Sequence, residues 1–248
     1  MDPQVQSLVV PCRVLPWLGG ESALQRLRTA RHDGTQLDRS GQKWDARAVK
    51  LTAKGMATRN RIIEGAASHL RSGEPGTMTL EDVQVITGTS RGQLFHYFPG
   101  GKEELLLAVA RHEADQVLED QQPHLGALRS WSAWERWRAS VLARYRVQGA
   151  NCPLGTLMDA VGSTPGAAEV SQSLLARWQE FIAAGVREMQ TSGQIAPHLD
   201  AERTAVAFIT GIQGGVQMLR VTGSTDHLET TFDVLLDHLR STTSAVLT

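Results

Sequence analysis

The sequence predicts an all-α fold, and three observations carry that expectation. From about Ala57 onward, apolar residues recur at the spacing of one helix face. No segment alternates apolar and polar residues between hairpin turns, as a half-buried strand would. Two helix-capping patterns follow in close succession, Thr79 with Asp82 and Ser90 with Gln93, with Gly88 between them.

The elements can be justified in order. Ile62, Ile63, Ala66, Ala67 and Leu70 give a first helix one apolar face, and Gly73-Glu74-Pro75-Gly76 ends it. A second, short helix opens behind Thr79 with Leu80, Val83 and Ile86 toward the core. Gly88 suits the left-handed backbone that closes a helix, and a third helix runs from Ser90 through Phe98. Pro99-Gly100-Gly101 breaks the chain before a longer helix from Lys102 to about Gln122, stopped by Pro123. Trp131–Val147, Ala167–Thr191, Ala201–Val221 and Asp226–Thr242 read as further helices, with a shorter one near Leu154–Val161. Residues 1–48 differ: Pro3, Pro11, Pro16 and Gly19-Gly20 punctuate them without a sustained apolar period. They read as a poorly ordered segment, or as a reading frame extended upstream of a start near Val49 or Met56. The expected domains behind them are 49–112 and 113–248.

Composition excludes several classes. Hydrophobic residues make up 41% and charged residues 21%, the balance of a soluble globular chain. No apolar run approaches the ~20 residues of a membrane helix. Leu8–Leu18 is interrupted by Pro11, Arg13 and Pro16 and lacks a signal-peptide pattern, so a cytoplasmic protein without a membrane partner is expected. Cys12 and Cys152 stand far apart with no Cys-x-x-Cys pair, which argues against a disulfide framework or a zinc site. The net charge of −1 is uneven: residues 50–112 hold 8 Lys+Arg against 6 Asp+Glu, whereas residues 113–248 hold 10 against 15. A mildly basic front and an acidic rear suit a chain that meets phosphate at one end.

On the third helix, a turn of 100° per residue groups Leu94 with Phe98 on the inner side. Gly92 and His96 then point away, flanked by Gln93 and Tyr97, with Arg91 in the first turn. A guanidinium, an amide, an imidazole and a phenol on one face can bond base edges and phosphates in a major groove. Gly92, with no side chain, lets backbone and duplex approach closely. The same pattern also fits a solvated three-helix corner with an incidental polar face.

Three segments carry a family resemblance. They are Thr79-Leu80-Glu81-Asp82-Val83, Gly88-Thr89-Ser90-Arg91-Gly92-Gln93-Leu94-Phe95-His96-Tyr97-Phe98 and Lys102-Glu103-Glu104-Leu105. Together they resemble the N-terminal domain of TetR-family transcriptional regulators over about residues 57–112. The resemblance implies a three-helix helix-turn-helix domain, double-stranded DNA as partner, and a helical-bundle domain behind it for effector binding and dimerisation. It also implies site roles: Thr79 at a phosphate, Ser90, Arg91, Gly92, Gln93, Phe95, His96 and Tyr97 at the groove, and Lys102 on backbone phosphate. One departure bears on Lys102. The family spaces its phenylalanine and lysine by two residues, whereas Pro99, Gly100 and Gly101 make three here. Asn151-Cys152-Pro153-Leu154-Gly155 resembles a segment of the relatives grouped with lincomycin-resistance repressors.

In the rear half, Leu228, Phe232, Leu235, Leu236 and Leu239 draw an apolar stripe along the last helix, and Gly211, Gly214 and Gly215 allow close approach to the preceding one. The expectation is a homodimer interface holding Gly211, Gly215, Leu228, Phe232, Leu235 and Leu239, against plain packing within the chain. Trp134, Trp137, Met158, Trp178, Phe181 and Phe208, with Gln213 as polar anchor, could line a pocket for a small apolar effector, although at any single position ordinary core is the commoner role. No nucleophile elbow, metalloprotease helix, phosphate loop or dinucleotide fingerprint appears, so neither catalytic residues nor a cofactor is expected. Three readings stand at this point: an effector-released repressor, a constitutive dimeric DNA-binding protein, and a helical-bundle enzyme.

Overall fold

The computed structural model describes residues 51–72 and 78–244. The expectations for residues 1–48, including Cys12, and for the Gly73–Gly76 breaker lie outside the described residues.

Among the described residues the fold is all-α. In chain order the helices are α1 (Ala53–Ser72), α2 (Leu80–Thr87), α3 (Arg91–Tyr97), α4 (Gly101–Glu119), α5 (Trp131–Gln148), α6 (Pro153–Val161), α7 (Ala167–Thr191), α8 (Ala201–Thr222) and α9 (Asp226–Ser244). A 3₁₀ turn, Leu125–Ala127, lies between α4 and α5. Local chemistry explains most boundaries. Asp200 caps α8 by accepting the Arg203 N–H at 3.0 Å. Cys152 caps α6, its Sγ accepting the Gly155 N–H at 3.3 Å, and Pro153 fills the first helical position, where no N–H is needed. The α4 helix stops at Glu119, short of the expected Gln122, because Pro123 turns its predecessor away from helical backbone.

Two apolar clusters organise these helices. The front cluster holds Ile62, Ile63, Ala66, Ala67, Met78, Val83, Leu94, Phe98, Leu105, Ala108 and Val109, from α1 to the first half of α4. The rear cluster begins at Ala110 and runs to Leu239. Ile86 does not join the front cluster: it is 46% exposed, and the buried residue of that turn is Thr87. Thr87, seven residues after Leu80, lies close to the inner line of α2, while Ile86 is turned about 80° aside. Burial of Thr87 is tolerated because its hydroxyl donates to the Val83 carbonyl at 2.6 Å.

Two expectations for the rear half need correction. Leu228, Phe232, Leu236 and Leu239 are buried inside this chain, where α9 closes on α8. They present no surface to a second copy. The glycines serve the same contact: a Cβ at Gly215 would stand 2.7 Å from Leu228 Cα, and one at Gly211 would stand 2.4 Å from Thr231 Cγ2. Of the expected interface set only Gly211 and Leu235 are partly exposed. The aromatic set is likewise closed. Trp134 and Trp137 meet edge to face at 5.7 Å, Trp134 lies 5.2 Å from Phe208, and Trp137 lies 5.2 Å from Phe232. These rings, with Trp178, are fully buried and fill the core instead of surrounding a space. Met158 packs against that core, Gln213 is half-buried on α8, and Phe181 faces outward on α7. Large apolar residues at helical spacing fit either a cavity wall or a core, and close packing among themselves removes more apolar surface from water.

Ion pairs lash α9 to α5. Arg138 meets Asp233 at 2.6 Å, Arg146 meets Glu229 at 2.6 Å, and Arg240 meets Glu135. Toward the front, Arg71 near the end of α1 pairs with Glu113 on α4. Glu113 is fully buried, its Oε2 has no hydrogen-bond partner, and burial pushes its carboxyl up to about 7 against the pull of Arg71.

Candidate nucleic-acid interface

The site grows from the two capping boxes. At the start of α2, the Thr79 hydroxyl accepts the Asp82 N–H at 3.1 Å while the Asp82 carboxylate accepts the Thr79 N–H at 2.8 Å. Gly88 closes the helix in the left-handed region, φ 59°, and its N–H donates to the Gln84 carbonyl. At once a second box starts α3: Ser90 Oγ accepts the Gln93 N–H at 3.2 Å, and Gln93 Oε1 accepts the Ser90 N–H at 3.1 Å. With both ends of the turn fixed, the rotation of α3 is fixed too.

That rotation buries Leu94 and Phe98 at 0% exposure, and it leaves Arg91, Gly92, Gln93, Phe95 and His96 exposed on the other side. Nothing lies within 4 Å of where a Gly92 Cβ would be, so the helix backbone is bare there. The Arg91 guanidinium lies 5.7 Å from the centre of the Phe95 ring, a cation–π arrangement that holds the charge over the helix surface. His96 and Tyr97 meet edge to face at 4.9 Å, Tyr97 being half-buried against the front cluster.

The caps tie down two of these residues and leave a third free. Thr79 is exposed, but its hydroxyl also donates to Asp82 at 2.7 Å, and that bond holds the Asp82 carboxyl below its ordinary range. Gln93 commits its carbonyl oxygen to the cap, leaving the amide donor for the outside. Lys102, in the first turn of α4, is exposed and makes no hydrogen bond or ion pair among the described residues. One further basic group escaped the sequence reading. Arg59 of α1 lies 5.1 Å from the Phe98 ring centre, and no local pattern links residues so far apart along the chain.

The comparisons with known proteins follow this division. Residues 127–235 match the sequence model described as "Tetracyclin repressor-like, C-terminal domain". A helix-turn-helix transcriptional repressor of Corynebacterium efficiens, AcnR, is 38% identical over 72 residues, covering 29% of this chain and 38% of that protein. By these matches the chain is similar to TetR-family transcriptional regulators, and the relatives it matches are regulators of transcription. An HTH-type transcriptional regulator of Mycobacterium tuberculosis, itself uncharacterized, extends the likeness at 24% identity to 66% of this chain and 84% of its own length. In fold the chain is similar to a TetR-family regulator from Cytophaga hutchinsonii, with a TM-score of 0.66, 18% identity and coverage of 78% of this chain and 98% of the other. A TetR regulator from Chloroflexus aurantiacus gives a TM-score of 0.62 at 24% identity, covering 75% and 96%. No described helix is long and apolar enough to cross a membrane.

Proposed function

We propose that this chain is a homodimeric, effector-responsive repressor that reads a palindromic operator with α3. The observation that carries the reading is the polar, uncovered side of α3, whose opposite side is anchored by Leu94 and Phe98. Residues 49–112 act as the DNA-binding domain and 113–248 as the effector and dimerisation domain, in keeping with the change of apolar cluster near Val109 and Ala110. Arg91, Gln93 and His96 reach base edges; Phe95, Tyr97 and Ser90 shape the approach; Lys102 takes a backbone phosphate. Thr79 contributes less, since its hydroxyl is engaged with Asp82. Repression is supported by the function named for the Corynebacterium relative. A reader of chromosomal DNA works in the cytoplasm.

For dimerisation we assign the outer faces of α8 and α9, not the buried stripe. Ala207, Gly211, Gly214 and Met218 on α8, with Thr230 and Val234 on α9, line shallow adjoining grooves that also take in Asp226 and His227 at one end. A two-fold pairing there places two α3 helices on successive turns of one duplex face. An effector releases the operator only if it binds the DNA-incompetent arrangement more tightly than the competent one.

The close-packed rear core favours one alternative, a dimer that binds DNA without any effector. A gel-shift assay with DNA from the gene's own upstream region separates the two. Retarded DNA that is released by a neutral lipophilic compound supports the repressor reading. Retention in the presence of every such compound supports the constitutive protein, and no retardation at all contradicts DNA reading by α3.

A further inference from the structure

Arg59 stands where the pattern of α1 calls for an apolar residue. Ile62, Ile63 and Ala66, three, four and seven residues further on, are buried in the front cluster, so Arg59 continues their line toward the start of the helix. Its guanidinium carbon lies 5.1 Å from the centre of the Phe98 ring, and Phe98 is fully buried. The residue is half-buried, its stem on the core and its charge at the core's edge. A cation drawn toward a core is costly unless something pairs with it. Among the described residues Arg59 makes no hydrogen bond and no ion pair, whereas Arg71, near the other end of α1, is paired with Glu113.

The surroundings add no acid. Residues 53–61 hold Lys54, Arg59 and Arg61, and neither Asp nor Glu. Phe98 closes α3, so the Arg59 charge sits at the far end of that helix from Arg91. A seven-residue helix is roughly 10 Å long at 1.5 Å per residue, close to the width of about 12 Å of a major groove. A helix of that length seated in the groove brings whatever flanks its ends toward the bordering phosphates. Lys102 already has such a role, but it shares a cleft with Leu70. Leu70 and Arg59 are eleven residues apart on α1, roughly 16 Å of helix, so the two cations serve different phosphates.

We propose that Arg59 is a phosphate ligand of the operator supplied by α1, its guanidinium held ready on the face of Phe98. The inference rests on the reading of DNA by α3 stated above. A contact to phosphate carries no sequence information, so Arg59 adds affinity on every duplex alike. Phe98 is its positioning residue: the ring holds the long side chain near one arrangement before DNA arrives, which lowers the cost of ordering it. The competing account gives Arg59 no task beyond covering the ring.

Fluorescence anisotropy with the full-length protein and a labelled duplex from the gene's own upstream region, repeated over a range of salt concentrations, separates the two accounts. Arg59→Met keeps an unbranched stem on Phe98 and removes the charge; Arg59→Lys keeps the charge. Arg59→Met should leave the thermal midpoint nearly unchanged and weaken binding about tenfold, on this duplex and on an unrelated one alike. Its plot of log affinity against log salt should be shallower by about 0.9 per protomer, so about 1.8 for a dimer. Arg59→Lys should keep the wild-type slope. A slope in Arg59→Met equal to that of the wild-type protein overturns this inference alone. So does an equal loss in both variants accompanied by a lower thermal midpoint, which is the mark of a structural role. Weakening confined to one duplex sequence also overturns it, since that is the behaviour of a base contact. Wild-type protein that binds neither duplex contradicts the reading by α3 itself, and this inference with it.

Discussion

α3 and α9 are both amphipathic helices whose sequence advertised a functional face, and they turned out differently. The face singled out on α3 was polar, and it lies exposed: Arg91, Gly92, Gln93, Phe95 and His96 face outward. The face singled out on α9 was apolar, and Leu228, Phe232 and Leu239 vanish into the chain's own core. The difference teaches a general point. A polar side on a short helix anchored by two buried residues has no other destination than the surface. An apolar stripe is equally good for a neighbouring helix of the same chain and for a second copy, and the nearer partner wins because no association entropy opposes it.

This contrast predicts opposite consequences for neighbouring residues on α9. Phe232→Ala should cost about 3–5 kcal/mol of folding stability through the cavity it leaves. Val234→Asp, one face away and 61% exposed, should leave the unfolding midpoint of the protomer nearly unchanged while splitting the dimer in sedimentation experiments. Equal loss of stability in both variants would erase the distinction between the inner and outer sides of α9.

The Arg71–Glu113 pair lies where the two clusters meet, and it gives the next largest effect. Burial raises the Glu113 carboxyl from its ordinary 4.5 to about 7. The folded state therefore keeps this proton where the unfolded state has released it, so its contribution to stability is greatest below pH 4.5 and falls as pH rises toward 7. At 1.36 kcal/mol per pH unit the decline is at most about 3 kcal/mol. Glu113→Gln should flatten the fall in thermal midpoint between pH 5 and pH 8 that the wild-type protein shows. Identical slopes for the two proteins would mean that Glu113 is not buried as an acid.

The glycines of α8 sharpen the comparison further. Gly215→Ala should destabilise by about 1–3 kcal/mol, since its Cβ meets the α9 backbone at Leu228. Gly214→Ala meets nothing within 4 Å and should stabilise the protomer slightly, while weakening the dimer if α8 faces a second copy. Chemical denaturation and concentration-dependent gel filtration read the two effects apart.

The fold was legible to a high degree because its punctuation is chemical. Thr79, Gly88, Ser90 and Asp200 act through local bonds that sequence spacing displays, so helix starts and stops came out within a few residues. Ile86 was misread because one turn of helix offered two adjacent positions for the core, and Thr87 can be buried through its bond to the Val83 carbonyl. The exposed polar side of α3 was legible for the same local reasons. The aromatic pocket was not: whether Trp134, Trp137 and Phe208 enclose a space or fill one depends on contacts among α5, α8 and α9 that no local pattern encodes.

The most direct test of the central claim is Gly92→Ala, which has the smallest effect on stability. The site is open to 4 Å and helical, so the added methyl should raise folding stability by roughly 0.5–1 kcal/mol. If α3 enters the groove with its backbone close to the duplex, operator affinity measured by fluorescence anisotropy should nonetheless drop by about tenfold or more. A variant that is more stable and binds its operator as tightly as the wild-type protein would contradict the account, with no damaged fold to explain the result.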